Sequence, residues 1–394
     1  MIKIGKPFVR ELRDQAQLVV NININDKNHE VYYSVPLDYK DYLVDERVDA
    51  FVVAFLPLAM QENEDIQVDI ETSISEKLKM QLNHLFIPTL AHFTEYHSIQ
   101  VNGETNSQHL NEKQAVGSGF SAGVDSFYTV SEYSKLEEEE EEYRLTHLTF
   151  LNVGSHGDNG GEKARALFHE RSKIAEDFAK EYDWPLIKID SNISEVLNLY
   201  FVETHTFRSL SAILALQKLF AVYYYSSGFN LDRFKIDKSD AAYYDLLNMQ
   251  MFSTEDLTFY SIDGYSSRLD KVKKIAQYTP SHNYLNVCQV SQVNCGRCEK
   301  CRRTMLGLYA ANELDKYDHV FDINYFKEHK DNYLGFLLFM RGNEDYKEIL
   351  ENLKAEKGNL PISAHIQELV FRFKNMFRNN EKAKNIYFKY LKSK

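Results

Sequence analysis

The chain has 394 residues, of which 44% are hydrophobic and 26% charged, and carries a net charge of −12. That length holds two or three domains with full cores, which excludes the disordered and fibrous classes. The acidic balance also excludes a protein that wraps nucleic acid over a broad surface, because neutralising phosphates takes clustered Lys and Arg.

The opening MIKIGKPFVREL lacks the uninterrupted apolar stretch and small-residue cleavage site of a signal peptide, so a cytoplasmic location is expected. Residues 1–112 alternate short strand-like runs, such as AQLVVNININ and EVYYSVPL, with polar turns. They also hold the apolar VDAFVVAFLPLAM and an amphipathic stretch, ISEKLKMQLNHLFIPTLAHF, that reads as a helix. The longest apolar run, Ala50 to Met60, contains a proline and is shorter than the roughly 20 residues of a spanning helix, so no membrane association is expected. This part is predicted to be an accessory α/β or β-rich domain, a place for protein partners. His92 and His97 belong to no spaced cluster and read as ordinary residues.

From Ala115 the pattern becomes strand, helix, strand. QAVGSGF, RLTHLTFLNVG, PLIKID and DRFKI are the predicted strands. DSFYTVSEYSKL, EKARALFHERSKIAEDFAKEY and FRSLSAILALQKLFAVYYY are the predicted helices. This alternation implies right-handed crossovers and a parallel sheet, with ligands bound outside the carboxyl ends of the strands. The acidic run Glu137–Glu142 reads as a solvated loop or helix end. The expected domains are 1–112, 113–306 with a cysteine segment at 288–301, and a helical extension over 307–394 with LGFLLFM as a core stripe. Between Ile362 and Lys394, eight Lys and Arg face two Asp and Glu, so a nucleic-acid or partner contact is an alternative to a plain exposed helix there.

All four cysteines, Cys288, Cys295, Cys298 and Cys301, lie in one short window. Their C-x6-C-x2-C-x2-C spacing can wrap four thiolates around one tetrahedral Zn, with Gly296 permitting a tight turn between ligands. Structural zinc is expected, since four protein thiolates leave no open coordination position; disulfides and an iron–sulfur cluster are the alternatives.

The first strand of the alternating region ends in GSGFSAGVDSFYTV. Small residues at Gly117, Ser118, Gly119, Ser121, Ala122 and Gly123 let a phosphate approach the main chain, and the following helix aims its N–H groups at it. No G-x4-G-K-[ST] occurs at this strand end, so a Walker loop is excluded. Asp125 makes sense beside an anion only with a cation, so Mg bridging the carboxylate and a pyrophosphate is expected. The loop Gly154-Ser155-His156-Gly157-Asp158-Asn159-Gly160-Gly161 is placed to hold adenine, ribose or an acceptor, with His156 a general base or merely solvated. Asp190, at the end of a predicted strand, is placed for a ribose or metal contact.

Ser121-Ala122-Gly123-Val124-Asp125-Ser126 resembles the SGGxDS pyrophosphate loop of the N-type ATP pyrophosphatases, the PP-loop enzymes that split ATP between the α and β phosphates. CGRCEKCRR is similar to the zinc segment of one branch, the 7-cyano-7-deazaguanine synthases. Phe207-Arg208-Ser209 and Ser267-Arg268-Leu269-Asp270-Lys271-Val272 are similar to that branch's Gly-Arg-Asn and Ser-Lys-x-Glu-Ile-Val segments. Ala241-Ala242-Tyr243-Tyr244-Asp245 is a fainter echo of its Ser-Gly-Tyr-Pro-Asp. The likeness spans about Ala115 to Leu306. It implies a Rossmann-like sheet of the adenine nucleotide alpha hydrolase type, ATP, Mg and Zn as cofactors, and an acceptor carboxylate or carbonyl adenylated with release of pyrophosphate. Its cofactor-binding residues fall on Ser121, Ala122, Gly123, Val124, Asp125 and Ser126, while Gly154, His156 and Asp190 are cofactor-binding candidates by their position after the predicted strands. Asp125, Arg208 and Arg268 are the catalytic candidates, the arginines stabilising charge on the leaving group.

Departures from the pattern fall in the pyrophosphate loop and on the acceptor side. Ala122 replaces a glycine, HGDNGG replaces the His- and Arg-rich substrate loop, and Tyr244 stands where that segment has proline. The added N-terminal and helical C-terminal regions resemble the enlarged synthase-like proteins of bacterial antiphage defence operons. Two other functions are compatible with the residues. One is a tRNA-modifying ATP pyrophosphatase using Arg297, Arg302, Arg303 and the basic C-terminus; the other is a nucleotide-binding scaffold without turnover.

Overall fold

The computed structural model describes residues 1–110 and 113–378, so the basic stretch expected at the C-terminus lies, from 379 on, outside the described residues. The chain divides into two compact units, one of Met1–Ser121 with Thr129–Tyr265, the other of Ala122–Tyr128 with Ser266 onward. No described helix is long and apolar enough to cross a membrane.

In the first unit, strands β1 (Ile2–Ile4), β2 (Phe8–Glu11), β3 (Gln15–Ile24) and β4 (Lys27–Pro36) come first. The β3–β4 hairpin turns through Asn25 and Asp26, both at positive φ, as a two-residue turn matched to the strand twist requires. Then come β5 (Ile66–Val68), β6 (Ile74–Ser75), β7 (Val101–Asn102) and β8 (Thr105–Asn106). The alternating region supplies β9 (Ala115–Gly119), β10 (His147–Asn152), β11 (Leu186–Ser191), β12 (Phe220–Ser226) and β13 (Thr258–Ile262).

Among the described residues, eleven strands form one mostly parallel sheet in the order β13-β12-β9-β10-β11-β4-β3-β1-β5-β7, with β2 also paired to β3. The five strands from β13 to β11 are all parallel. Chain order runs outward from β9 in one direction to β10 and β11, then in the other to β12 and β13. The carboxyl ends of β9 and β12 therefore flank the point where strand order reverses, the crevice in which open α/β sheets bind ligands.

Residues 1–110 are built into the same sheet and core as the alternating region. β4 pairs antiparallel with β11, with Ser34 opposite Asp190 and Tyr33 opposite Ser191, and the Asn192 side chain accepts from the Tyr32 N–H at 2.9 Å. The apolar run at Asp49–Glu62 is a buried helix packed into the same core as the Phe201–Leu214 helix. The boundary expected at 112 thus gives way to a shared sheet and shared core.

Two local expectations are corrected. The helix predicted over FRSLSAILALQKLFAVYYY ends at Leu214, and its last residues are β12, a central strand between β9 and β13. A continuous apolar run does not distinguish a buried helix from a buried strand, and the aromatic cluster Tyr223-Tyr224-Tyr225 suits the pleat. DRFKI is no strand: Leu231–Arg233 forms one 3-10 turn, and the edge beside β12 is taken by β13. The amphipathic helix of the N-terminal region is continuous from Glu76 to Phe93 but carries a π-turn at Leu82–Phe86, just before Pro88, whose ring nitrogen has no N–H to donate.

The second unit is helical, with Arg268–Ile275, Glu299–Ala310, Lys330–Met340, Glu344–Lys357 and Ile362–Arg378 as its main helices. LGFLLFM supplies its core through Leu334, Leu337 and Leu338. The Val124–Tyr133 helix, directly after the β9 loop, begins within this unit.

Candidate functional site

The loop after β9 is built around close approach. A Cβ on Gly117 would meet Phe220 at 2.6 Å and Tyr223 at 2.8 Å, so only glycine lets β12 lay its rings against this strand. Ala122 sits at φ +58°, the left-handed region where a methyl group is strained. Its carbonyl accepts from the Asn286 N–H at 2.7 Å, and Gly123 accepts from both the Phe127 N–H and the Ser126 hydroxyl. The alanine that replaces the expected glycine therefore stands where glycine is favoured.

Asp125 lies in the first turn of the Val124–Tyr133 helix. Its Oδ2 accepts from Arg268 Nη1 at 2.9 Å and its Oδ1 from Lys271 Nζ at 3.2 Å. Both cations come from one face of the Arg268–Ile275 helix, whose start is set by a capping box between Ser267 and Asp270. Burial alone would push the Asp125 carboxyl up, but the Arg268 guanidinium and the Lys271 ammonium hold it down to about 2. Arg303 pairs with Asp345 at 2.7 Å, and the charge of Asp345 is felt at Arg268. Lys300, close enough to feel Arg303, Arg268 and Asp125, has its pKa lowered by burial and then by those two arginines. It has no carboxylate partner among the described residues. Arg268 and Lys271, with Lys300 near enough to feel the same carboxylate, thus gather positive charge around Asp125 in the first turn of a helix, a place that favours an anion.

Lys271 and Lys300 are cations near Asp125 that the sequence reading did not single out, whereas Arg303, expected there as a tRNA contact, pairs with Asp345. Lys271 was legible there, because it comes three residues after Arg268 and so shares its face of a helix. Lys300 and Arg303 owe their place to the helix that begins among the cysteines.

The cysteine Sγ atoms of Cys288, Cys295, Cys298 and Cys301 all lie within 4.8 Å of one another, and none is in a disulfide. Gly296 takes φ +67°, the tight turn expected between ligands, and its carbonyl accepts from the Tyr333 hydroxyl at 2.7 Å. The Arg297 and Cys298 N–H groups point at Cys295 Sγ, at 3.4 and 3.3 Å. Although burial opposes it, these N–H donors bring the Cys295 thiol down to about 7. Four sulfur donors so grouped can hold a metal such as zinc. Asn286, which supports Ala122, also bonds Gln292 and the Cys288 N–H, linking the cysteine segment to the loop before Asp125.

Arg208 has a different environment from Arg268. It is fully buried in the first unit, donating to the Leu199 carbonyl at 2.6 Å, Ser194 Oγ at 3.1 Å and the Asp158 carbonyl at 3.4 Å. A Cβ on Gly154, at φ +126°, would meet Phe201 at 2.5 Å and this guanidinium at 2.7 Å. Burial lowers the Arg208 pKa to about 10, so it stays charged at neutral pH. The expected leaving-group cation is instead the clamp that holds the 154–158 loop to the Ser194–Leu199 segment. Gly154 is required by that clamp.

His156 packs between Phe150 and Phe168, each 5.6 Å away centre to centre, and accepts or donates at Ser155 Oγ. Burial, with Arg171 nearby, pushes its pKa to about 4, so it is neutral at physiological pH. Asp190 is paired with Arg165 at 3.2 Å and takes the Asn152 amide at 2.6 Å, inside the sheet rather than on an open strand end. Ser121 is exposed at the end of the β9 loop.

Comparison of the chain with protein-family models, with curated proteins and with solved structures found no match.

Proposed function

We propose that this protein is an ATP-dependent enzyme of the PP-loop pyrophosphatase type, which adenylates an acceptor carboxylate or carbonyl and releases pyrophosphate. The observation that carries the reading is the seating of Asp125 between Arg268 and Lys271. Two segments over 140 residues apart, similar in sequence to two parts of one pyrophosphate site, meet through their charged residues. The reversal of strand order at β9 supports it, because the Ser121–Ser126 loop leaves the sheet at that strand.

In this reading, the pyrophosphate enters at the helix amino end and takes up Arg268, Lys271 and Lys300, whose charge stabilises the leaving group. Arg268 contributes a planar fork of donors, whereas Lys271 and Lys300 act as point charges. Asp125 has the donor chemistry for magnesium, since an ionised carboxylate is a hard oxygen ligand with two lone pairs on each oxygen. Magnesium, when bound with nucleotide, supplies charge neutralisation on the phosphates. The four cysteines would hold zinc as a structural ion, fixing Asn286 and through it the Ala122 carbonyl.

The test is release of pyrophosphate and AMP from ATP with Mg, with and without cell extract as a source of acceptor. Acceptor-stimulated release from the wild type, lost in Asp125→Asn, is the expected result. ATP binding with no release under any addition would sink the reading.

A further inference from the structure

Resting on the pyrophosphate reading of the 122–126 loop, we infer that Asn294 is a positioning residue for that loop, through which metal at the four cysteines and nucleotide at Asp125 bind cooperatively. Ala122 needs a hold from outside. At φ +58° its methyl group is strained, and its carbonyl accepts from the Asn286 N–H at 2.7 Å. A backbone donor holds its acceptor only as firmly as its own peptide is held. Asn294 fixes that peptide from both sides: its Nδ2 donates to the Leu285 carbonyl at 2.7 Å, and its Oδ1 accepts from the Val287 N–H at 2.9 Å. A primary amide carries the one donor and one acceptor that this bracket takes. The Asn286 side chain adds a second bracket, donating to the Gln292 carbonyl at 2.6 Å and accepting from the Cys288 N–H at 3.4 Å. Leu285 is fully buried, which anchors the segment at its start.

Asn294 itself belongs to the cysteine segment. It directly precedes Cys295, its Oδ1 lies 3.8 Å from Cys301 Sγ, and its Nδ2 also reaches the Val320 carbonyl at 3.2 Å. Closing four thiols on one ion fixes the chain from Cys288 to Cys301, and the groups just outside the ligands are held in register with them. With the segment open, the Asn294 bracket loosens, the Asn286 N–H loses its aim, and Ala122 relaxes out of the left-handed region. The loop then spends less time in the shape that receives phosphate, which weakens nucleotide binding by that fraction. Coupling of binding free energies is reciprocal, so nucleotide on the loop tightens metal at the cysteines by the same factor.

The test uses the full-length, zinc-loaded protein with ATP and Mg and no acceptor. It reads ATP affinity by calorimetry and zinc affinity by competition with a chelating dye. ATP should raise the zinc affinity of the wild type roughly tenfold, the order of preference that left-handed strain at a non-glycine residue represents. This measurement needs no variant to fold. Asn294→Ala should keep zinc and the wild-type circular dichroism, bind ATP about tenfold more weakly, and show no effect of ATP on zinc affinity. Adding Ala122→Gly to Asn294→Ala should restore most of the ATP affinity, because glycine takes the left-handed conformation unaided, whereas a general loss of fold is not repaired there. Tight ATP binding that leaves wild-type zinc affinity unchanged overturns the inference and leaves the pyrophosphate reading standing. An Asn294→Ala protein that binds ATP as the wild type does, or a double variant without rescue, overturns it in the same way. Failure of the zinc-loaded protein to bind ATP at all sinks the pyrophosphate reading and the coupling with it.

Discussion

Arg208 and Arg268 looked alike as sequence, each a cation in a segment similar to part of one nucleotide site, and they occupy opposite environments. Arg208 is sealed among a glycine, two carbonyls and a hydroxyl, where its charge organises backbone. Arg268 meets a carboxylate that is itself 28% exposed, beside a second and a third cation. What separates the two arginines is the partner. Carbonyl acceptors are satisfied permanently, whereas a carboxylate can exchange its cations for an incoming anion and a metal.

The largest expected effect would confine damage to the Arg268 side of this comparison. With zinc held by the four cysteines as proposed, a chelator, or Cys298→Ser, should unfold the second unit, because the binding energy of such a site is folding energy, on the order of 10 kcal/mol. Limited proteolysis should then cut within 266–378 before 1–110; a cooperative unfolding transition unchanged by chelator would contradict it.

Replacing the clamp is next. Arg208→Met should cost about 3 kcal/mol in urea denaturation, since it leaves the Leu199 and Asp158 carbonyls and Ser194 without their donor. Arg268→Gln should cost under half of that yet lower pyrophosphate release by roughly a hundredfold. If the two variants exchanged these effects, the assignment of roles would be reversed.

Acid sharpens the comparison further. The Asp125 carboxyl sits at about 2 when folded, below the ordinary carboxylate value of about 4. Its ion pairs therefore stabilise the fold fully above about pH 4, and that contribution, about 2 kcal/mol, is lost as pH falls through 2. Asp125→Asn should flatten this part of the stability–pH curve, whereas Arg208→Met should only shift the curve down.

The smallest effect concerns the loop itself. Ala122→Gly should raise stability by about 1 kcal/mol, because the left-handed conformation at φ +58° strains a methyl group. A destabilised glycine variant would show that the methyl packs better than its backbone strain suggests.

Much of the fold was legible in patterns of short range. β9, β10 and β11 and the helices after β9 and β10 fall where alternation and 3.6-residue spacing put them, and the cysteine spacing anticipated a sulfur cluster. β12 was hidden because a strand buried on both faces has no alternation to show. The accessory-domain boundary failed for a related reason. Nothing in a strand's own residues says which edge it will join, so the pairing of β4 with β11 was invisible until the sheet was assembled.

At the site, local residue types set the chemical inventory: a small-residue loop ahead of Asp125, a segment from Ser267 with two cations three residues apart, and four clustered thiols. These depend on neighbours within a turn or two, where residue type dictates backbone conformation. Only the tertiary structure decided that Asp125 meets Arg268 and Lys271, that Arg208 is enclosed by carbonyls, and that Ala122 is strained. Those outcomes depend on which distant groups share a low-dielectric space, because a charge takes its role from the partner that burial leaves within reach.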